Sequence, residues 1–593
     1  MRILGLSFDY HDAAAAIVVD GKILAAADEE RFSRVKHDSE FPKRAIEFCL
    51  STAGIAASDI DAVVFYEDTL LKLDRIVYSH VRNAAQAPNY LHTAEALWSE
   101  KGKWDVEGRI CRHLNIPAER IHRIGHHQSH SAAAFFCSPF TNAAIVTMDG
   151  VGEYDTTVVS LGNDRDITPL YKAGLPQSIG LIYSAFTAFL GFEVNEGEYK
   201  VMGMAGFGQP TYYDQVRAMV KLTDDGLFTI DQSYFLFECP IDRPYNDNLI
   251  AVFGPPRVPE SVFRVPAPGT VLVPGSDEAL SSHYADIACS LQRVVEDIIC
   301  HIVSSAMKRT GLRDVCIAGG VGLNSLANAK AIRELGCRLY VQPAAGDGGS
   351  ALGAALYHYH KTLGHPRGGP LLSPYLGRAY TSAEIEAELK RQNLTARVFD
   401  SDAEMIEAVV ELLEKGSVVG WMQGRFEWGP RALGSRSILA NPARKDMQEV
   451  VNVKIKFREP FRPFAPSVLA ERAHEFFEVE TDLEPWRPEH FMLAVARVRP
   501  EARDKIPAVT HVDGTARVQL VRRDTNPLYY DLISAFGQRT GIPLVLNTSF
   551  NLRGEAMVDK PYDALHTFLW SEMDALVMGR HLVLKEEASC VQW

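Results

Sequence analysis

Paired cysteines are missing from this chain. The nine cysteines, Cys49, Cys111, Cys137, Cys239, Cys289, Cys300, Cys316, Cys337 and Cys590, are scattered and odd in number, with no C-x-x-C pair. That argues against a disulfide framework and for reduced thiols in a cytoplasmic protein. Long apolar runs are missing too. None is long enough to span a bilayer, and the run that starts at Met1 breaks at Asp9, too early for a signal-peptide core. A basic surplus is also absent: 61 Lys and Arg stand against 75 Asp and Glu, a net charge of -14. A broad nucleic-acid face or an anionic membrane surface is therefore disfavoured, and any grip on an anionic ligand must be local. What remains is an ordinary globular composition, 47% hydrophobic and 23% charged over 593 residues. That is enough chain for roughly two to four domains with sizeable cores.

The most informative stretch runs from Gly125 to Gly152. His126 and His130 stand four apart, which on a helix puts both imidazoles on one face. Small residues, Ser131 to Ala134, suit close packing of that helix. An apolar run, Ala143 to Met148, ends at Asp149 in a Gly-rich turn. Two histidines and a carboxylate fit Fe, Mn or Zn better than Ca. The same spacing also occurs at helix ends without a metal, and the neighbouring His127 reads as a supporting partner or an exposed residue, the four-residue spacing favouring His126 as the ligand.

Ile3–Ser7, Ala13–Val19, Lys22–Ala27 and Ala62–Tyr66 read as strands, with a polar turn at Asp9–Asp12 and a helix over 43–53. The strand, polar turn, strand pattern returns over 143–161. This suggests an internal duplication, as in actin and the sugar kinases. Ser178–Thr187 reads as a buried helix. Glu196–Gly208, with four glycines around Lys200, reads as a mobile loop that could approach a phosphate. His283–Arg309 carries a helical apolar stripe and stops at Gly311. The strand Asp314–Ala318 runs into Gly319-Gly320-Val321-Gly322-Leu323-Asn324 and a helix start, a nucleotide-shaped corner. Another strand spans 339–342, and a small-residue helix opens at Asp347. That carboxylate reads either as a helix cap or as a further metal ligand.

The stretch 364–380 reads as a linker between a domain over 1–363 and one over 381–593. Helices are expected over 381–393, with Ser382 as a cap, and over 404–415, and a strand over 417–422. The next segment is basic within an acidic chain. Arg425, Arg431, Arg436, Arg444, Lys445, Lys454, Lys456, Arg458 and Arg462 face only Glu427, Asp446, Glu449 and Glu459. These cations lie among glycine, proline and phenylalanine, which suits a pocket that grips phosphate or carboxylate. His511–Gln519 reads as a strand with alternating polar side chains, and Pro543–Leu546 as a buried strand running into Asn547-Thr548-Ser549-Phe550-Asn551.

Taken in order, several motifs resemble the O-carbamoyltransferases of the nodulation-factor and cephalosporin type, similar also to aminoglycoside and saxitoxin-type enzymes. The carriers are Tyr10-His11-Asp12-Ala13-Ala14, Glu29-Glu30-Arg31-Phe32, His126-His127-Gln128-Ser129-His130, Met148-Asp149-Gly150, Lys200-Val201-Met202-Gly203 and the 319–324 turn. Later carriers are Gly429-Pro430-Arg431-Ala432-Leu433-Gly434, Arg458 through Pro466, and Asn547 through Asn551. The resemblance implies an α/β protein with an N-terminal actin-like, duplicated ribonuclease H-like ATPase domain. Its C-terminal α/β domain would resemble the threonylcarbamoyl-AMP synthase fold. The implied chemistry turns carbamoyl phosphate and ATP into carbamoyl-adenylate, whose carbamoyl group passes to a hydroxyl of a small natural-product acceptor, as in antibiotic biosynthesis. Residue by residue, it implies metal ligation by His126, His130, Asp149 and Asp347, for Fe(II) or another divalent ion, with Mg accompanying ATP. It implies nucleotide contacts from Lys200, Gly319, Gly320 and Asn324. Carbamoyl phosphate would be held by Arg431, Lys456, Arg458, Arg462, Arg517 and Asn547, with His11, Lys456 and Arg431 in the chemistry. No nucleic acid or membrane partner is expected, and a homodimer is compatible with the chain. Two competing readings are a tRNA threonylcarbamoyl transferase-like enzyme and a non-enzymatic actin-like ATP-binding protein.

Overall fold

The structure is a computed structural model that describes residues 1–83, 89–100, 102–238, 243–264, 272–459, 461–481 and 483–588. Cys239, Cys590, Pro460 and parts of the 67–103 and 211–273 stretches lie outside the described residues. The chain forms two compact units. The first comprises 1–24 and 39–370, the second 25–38 and 371–593.

The first unit is built on two five-stranded sheets. One contains β1 (Arg2–Ser7), β2 (Ala14–Val19), β3 (Lys22–Asp28, whose residues 25–28 are counted with the second unit), β4 (Ala62–Phe65) and β5 (Ile121–Arg123), in the order β3-β2-β1-β4-β5. The other contains β6 (Asn142–Met148), β7 (Asp155–Asn163), β8 (Asp166–Gly174), β9 (Asp314–Ala318) and β10 (Arg338–Val341), in the order β8-β7-β6-β9-β10. Counted from its own first strand, each sheet has the same order. In both, the first strand pairs antiparallel with the second and parallel with the fourth. This is the duplicated ribonuclease H-like architecture of actin-like ATPases. Its central strands are buried almost throughout, which is why they read as continuous apolar runs.

Four helices position the chemistry of this unit: α1 (His126–Cys137), α2 (Asp277–Thr310), α3 (Ser325–Leu335) and α4 (Asp347–Leu356). α1 and α4 touch closely because α4 carries glycine. A Cβ added at Gly353 would lie 1.9 Å from the Ser129 carbonyl oxygen. α2 is longer than its apolar stripe predicts, because Ser276 caps it by accepting from the Ala279 N–H. The 196–208 stretch differs from the loop expected. Glu198–Ala205 is a helix, held at its start by the Lys200 and Val201 N–H groups donating to the Gly197 carbonyl.

The second unit is a mixed eight-stranded sheet with helices. Its strands are β11 (Arg397–Val398), β12 (Val419–Met422), β13 (Arg436–Ala440), β14 (Ala465–Leu469), β15 (Gln519–Val521), β16 (Leu544–Ser549), β17 (Ala575–Met578) and β18 (His581–Leu584). Their order is β11-β18-β17-β12-β13-β16-β14-β15. Helices α5 (Asp402–Lys415) and α6 (Pro527–Thr540) pack together through Val409, Leu413, Leu532 and Phe536 over Trp421 and Val545. A separate cluster built from Ile438, Val451, Phe464, Leu546 and Phe550 forms a second core. The helix expected over 381–393 spans Ser382–Arg391, and Thr381, not Ser382, caps it with Glu384. The strand expected over 511–519 is broken into Thr515–Ala516 and the start of Gln519–Val521, after a turn in which Asp513 accepts from Thr515. Among the described residues, no helix is long and apolar enough to cross a membrane.

Candidate active site

In the first unit, His126, His130, Asp149 and Asp347 converge, with their ligand atoms within 4.8 Å of one another. α1 begins at His126, so both histidines lie on its buried first turns. Asp149 follows the last residue of β6, and Ser178 holds the carbonyls of Asp149 and Gly150 through its hydroxyl. Asp347 is the first residue of α4 and makes no capping bond there, so the cap reading fails. The Nε2 of His130 lies 2.9 Å from Asp149 and 3.3 Å from Asp347. The Nε2 of His126 lies 3.3 Å from Asp149 and 3.7 Å from Asp347.

The two Nε2 atoms are 3.1 Å apart, so both cannot carry a proton along that line. Burial alone would depress His130, but its contacts with Asp149 and Asp347 outweigh that and push it up to about 9. Burial would raise Asp149, yet the two histidines hold it well below the usual carboxylate range. Oδ2 of Asp347 is buried with no hydrogen-bond partner among the described residues. Two imidazole nitrogens, two carboxylates and an orphaned carboxylate oxygen fit a divalent transition ion.

His127 is not part of this group. Its Nε2 donates to the Asp155 carbonyl, its Nδ1 lies 2.8 Å from the Thr147 hydroxyl, and burial pushes it down to about 3. Two supporting residues escaped the sequence reading. Ser350 sits 3.1 Å from the Nδ1 of His130, and Glu153 accepts from the backbone N–H groups of His126 and Asp68. Both pairings span elements distant in sequence, so no local pattern announces them.

The 319–324 turn adjoins the same carboxylate. Gly319 has φ +90°, and a Cβ there would lie 2.1 Å from the Met148 carbonyl oxygen, so only glycine fits. A Cβ on Gly320 would lie 3.4 Å from Asp149 Oδ1. Asn324 caps α3 through the Ala327 N–H and pairs with the amide of Gln292. Lys200 lies on the helix Glu198–Ala205, with its ammonium 5.6 Å from the Phe192 ring centre. His11 is half-buried, 2.9 Å from Asp12. Burial opposes its charge, but Asp12, and more weakly Asp347 and Asp149, push it up to about 10.

In the second unit four of the predicted cations, Lys456, Arg458, Arg462 and Arg517, influence one another. Lys456 is 2% exposed and donates to the Ser549 carbonyl, the Ser549 hydroxyl and Asn551 Oδ1. These three acceptors engage all three N–H bonds of an ammonium. Burial drives Lys456 well below its ordinary value, and Arg458, Arg462 and Lys36 add to that. Burial and Arg462 likewise lower Arg458, with Arg517 contributing. Asn452 and the Phe464 ring orient the Arg458 guanidinium, and Glu459 lies 3.8 Å from Arg462. Asn547 donates to the carbonyl of Ala432, which follows Arg431, and also lies against Ser467 and Gln519. The loop carrying Arg431 is organised by Glu427, a buried residue that sequence reading counted only as a charge. Its Oε1 accepts from the N–H groups of Leu433, Ser435 and Arg436.

Comparison with known proteins agrees with both halves. The Carbamoyltransferase N-terminus model matches residues 2–356 and the Carbamoyltransferase C-terminus model matches 410–585. The chain is 40% identical to the uncharacterized protein sll1178 of Synechocystis sp., over 98% of this chain and 97% of that protein. It is 35% identical to nodulation protein NolNO of Sinorhizobium fredii, over 98% of this chain and 80% of that one. Among solved structures, HypF of T. kodakarensis is similar at 14% identity and a TM-score of 0.31, covering 60% of this chain and 47% of that one. Two family models in sequence, which together cover most of the chain, place it in the carbamoyltransferase family.

Proposed function

We propose that the protein is an ATP-dependent O-carbamoyltransferase that makes carbamoyl-adenylate from carbamoyl phosphate and ATP and delivers the carbamoyl group to a hydroxyl of a small natural-product acceptor. The observation that carries this reading is the buried cation group of the second unit. Buried Lys456 and half-buried Arg458 are held together against their own desolvation, in a chain of net charge -14. Such a cluster is stabilised by an anion, and its guanidinium forks suit a phosphoryl group.

Three bond changes follow. Water adds to carbamoyl phosphate as the link between carbamoyl and phosphate breaks, giving carbamate and inorganic phosphate. Arg431, Arg458, Arg462 and Arg517 hold the phosphate as its charge grows, within the field of Lys456, while Asn547 anchors the Arg431 loop. A carbamate oxygen then bonds to the α-phosphorus of ATP, and pyrophosphate leaves. That step belongs to the domain over 381–593, with Mg accompanying ATP, and Lys200 and the Gly319, Gly320 and Asn324 corner receive the adenylate. Last, the acceptor oxygen attacks the carbamoyl carbon, AMP departs, and the hydroxyl proton passes to His11. His126, His130, Asp149 and Asp347 would hold a divalent ion, Fe(II) in our reading, which when bound would supply Lewis acidity without a change of redox state.

Arg462→Ala should raise the KM for carbamoyl phosphate roughly ten- to a hundredfold, the loss of one charge-assisted contact, and leave the KM for ATP nearly unchanged. Equal increases in both constants in steady-state kinetics would place ATP at this cluster and remove the donor assignment.

A further inference from the structure

Residues 25–38 belong to the second compact unit, although their neighbours in sequence belong to the first. The segment is secured there by specific bonds. The Ala26 N–H donates to the Leu376 carbonyl. Arg31, on the short helix Glu30–Ser33, is 1% exposed. Its Nη2 donates to the Glu427 carbonyl at 2.9 Å and lies 3.4 Å from the Gly429 carbonyl, while its guanidinium stacks 5.0 Å from the Phe426 ring centre. Those carbonyls flank Trp428 and lead directly into Arg431.

Arg34 bonds to the loop that follows Asn551. Its Nη1 donates to the Met557 carbonyl at 2.6 Å, and its Nη2 lies 3.5 Å from Glu555. Glu555 in turn shapes the loop below it. Its carboxylate accepts from the Leu552 N–H, and its carbonyl accepts from the Asn551 amide. The other end of that Asn551 side chain accepts from Lys456. Lys36 of the same segment adds positive field at Lys456.

We propose that segment 25–38 is a positioning element of the donor pocket, in which Arg31 fixes the turn that presents Arg431 and Arg34 fixes the 551–557 loop that holds the Lys456 ammonium. The inference rests on reading the cation cluster as the carbamoyl-phosphate site. Two arginines placed more than three hundred residues upstream of Arg425 in sequence thereby set the spacing of that cluster. Each acts through backbone carbonyls, so a side chain without a donor cannot replace it. A lysine at 34 keeps a donor for Met557.

The test uses the full chain and carbamoyl phosphate as the probe, with affinity measured by calorimetry and folding by thermal melts. Arg34→Ala should weaken binding roughly ten- to a hundredfold, as loss of a supporting residue around a site does, with ATP affinity unchanged. Arg34→Lys should recover most of it. In a Lys456→Met background, Arg34→Ala should cost less than about twofold more, because residues that act through one another are not additive. Arg31→Lys should weaken binding similarly. If that protein fails to fold, the Arg34 series alone decides. Unchanged affinity in Arg34→Ala, or full additivity with Lys456→Met, would overturn the positioning role while the donor pocket stands. Unchanged affinity in both Lys456→Met and Arg462→Ala would overturn the donor pocket and the inference with it.

Discussion

A histidine whose proton is held by a carboxylate makes a poor base until the pH approaches its raised proton affinity. His11 is in that state, pushed up to about 10 by Asp12 against the opposing effect of burial. If it accepts the acceptor's proton, only its neutral fraction works, so the transfer rate should climb as pH rises from about 7 toward 10. His11→Asn should keep exchange of labelled pyrophosphate into ATP, lose roughly 10²–10⁴-fold in carbamoylated product, and flatten that climb. A parallel loss of exchange would instead make His11 part of the nucleotide site. At this scale the sequence was informative where spacing carries the signal, as with His126 and His130. It favoured His126 over His127 by that spacing and left the choice slightly open, and the bonds to Thr147 and Asp155 take His127 out. Glu153, Ser350 and Glu427 were unreadable as site residues, since each works on backbone or on a side chain far along the chain.

Three element ends meet at the four-residue group: the start of α1, the end of β6 and the start of α4. An ion bound there ties the two halves of the duplicated unit, so it should stabilise them by mass action. Chelation should lower the melting temperature by about 3–8 °C, equivalent to a few kcal/mol at saturating metal. His130→Ala should bind no metal by elemental analysis and show no response to chelator. A chelator effect that persists in that variant would put the ion elsewhere. The strands around this group were legible because buried strands are uninterrupted apolar runs. The helix over 198–205 was not, because the glycines around Lys200 outweigh its helix-forming residues in any local reading, and tertiary packing of Val201 and Met204 overrides them.

Across the whole molecule, charge and topology divide differently from sequence order. The chain is acidic, yet its second unit concentrates buried cations. The duplication was visible as two repeated strand, turn, strand patterns, and the matching strand orders of the two sheets bear it out. The place of residues 25–38 was not visible, because Arg31 finds its carbonyl partner 396 positions away. In the function proposed here, this chain couples carbamoyl phosphate to ATP cleavage. Pyrophosphate release from ATP, followed with and without carbamoyl phosphate and in the absence of any tRNA, tests it most directly. Release that requires carbamoyl phosphate, and that in Arg462→Ala needs roughly ten- to a hundredfold more of it, is the predicted result; release indifferent to carbamoyl phosphate, or none without tRNA, would contradict it.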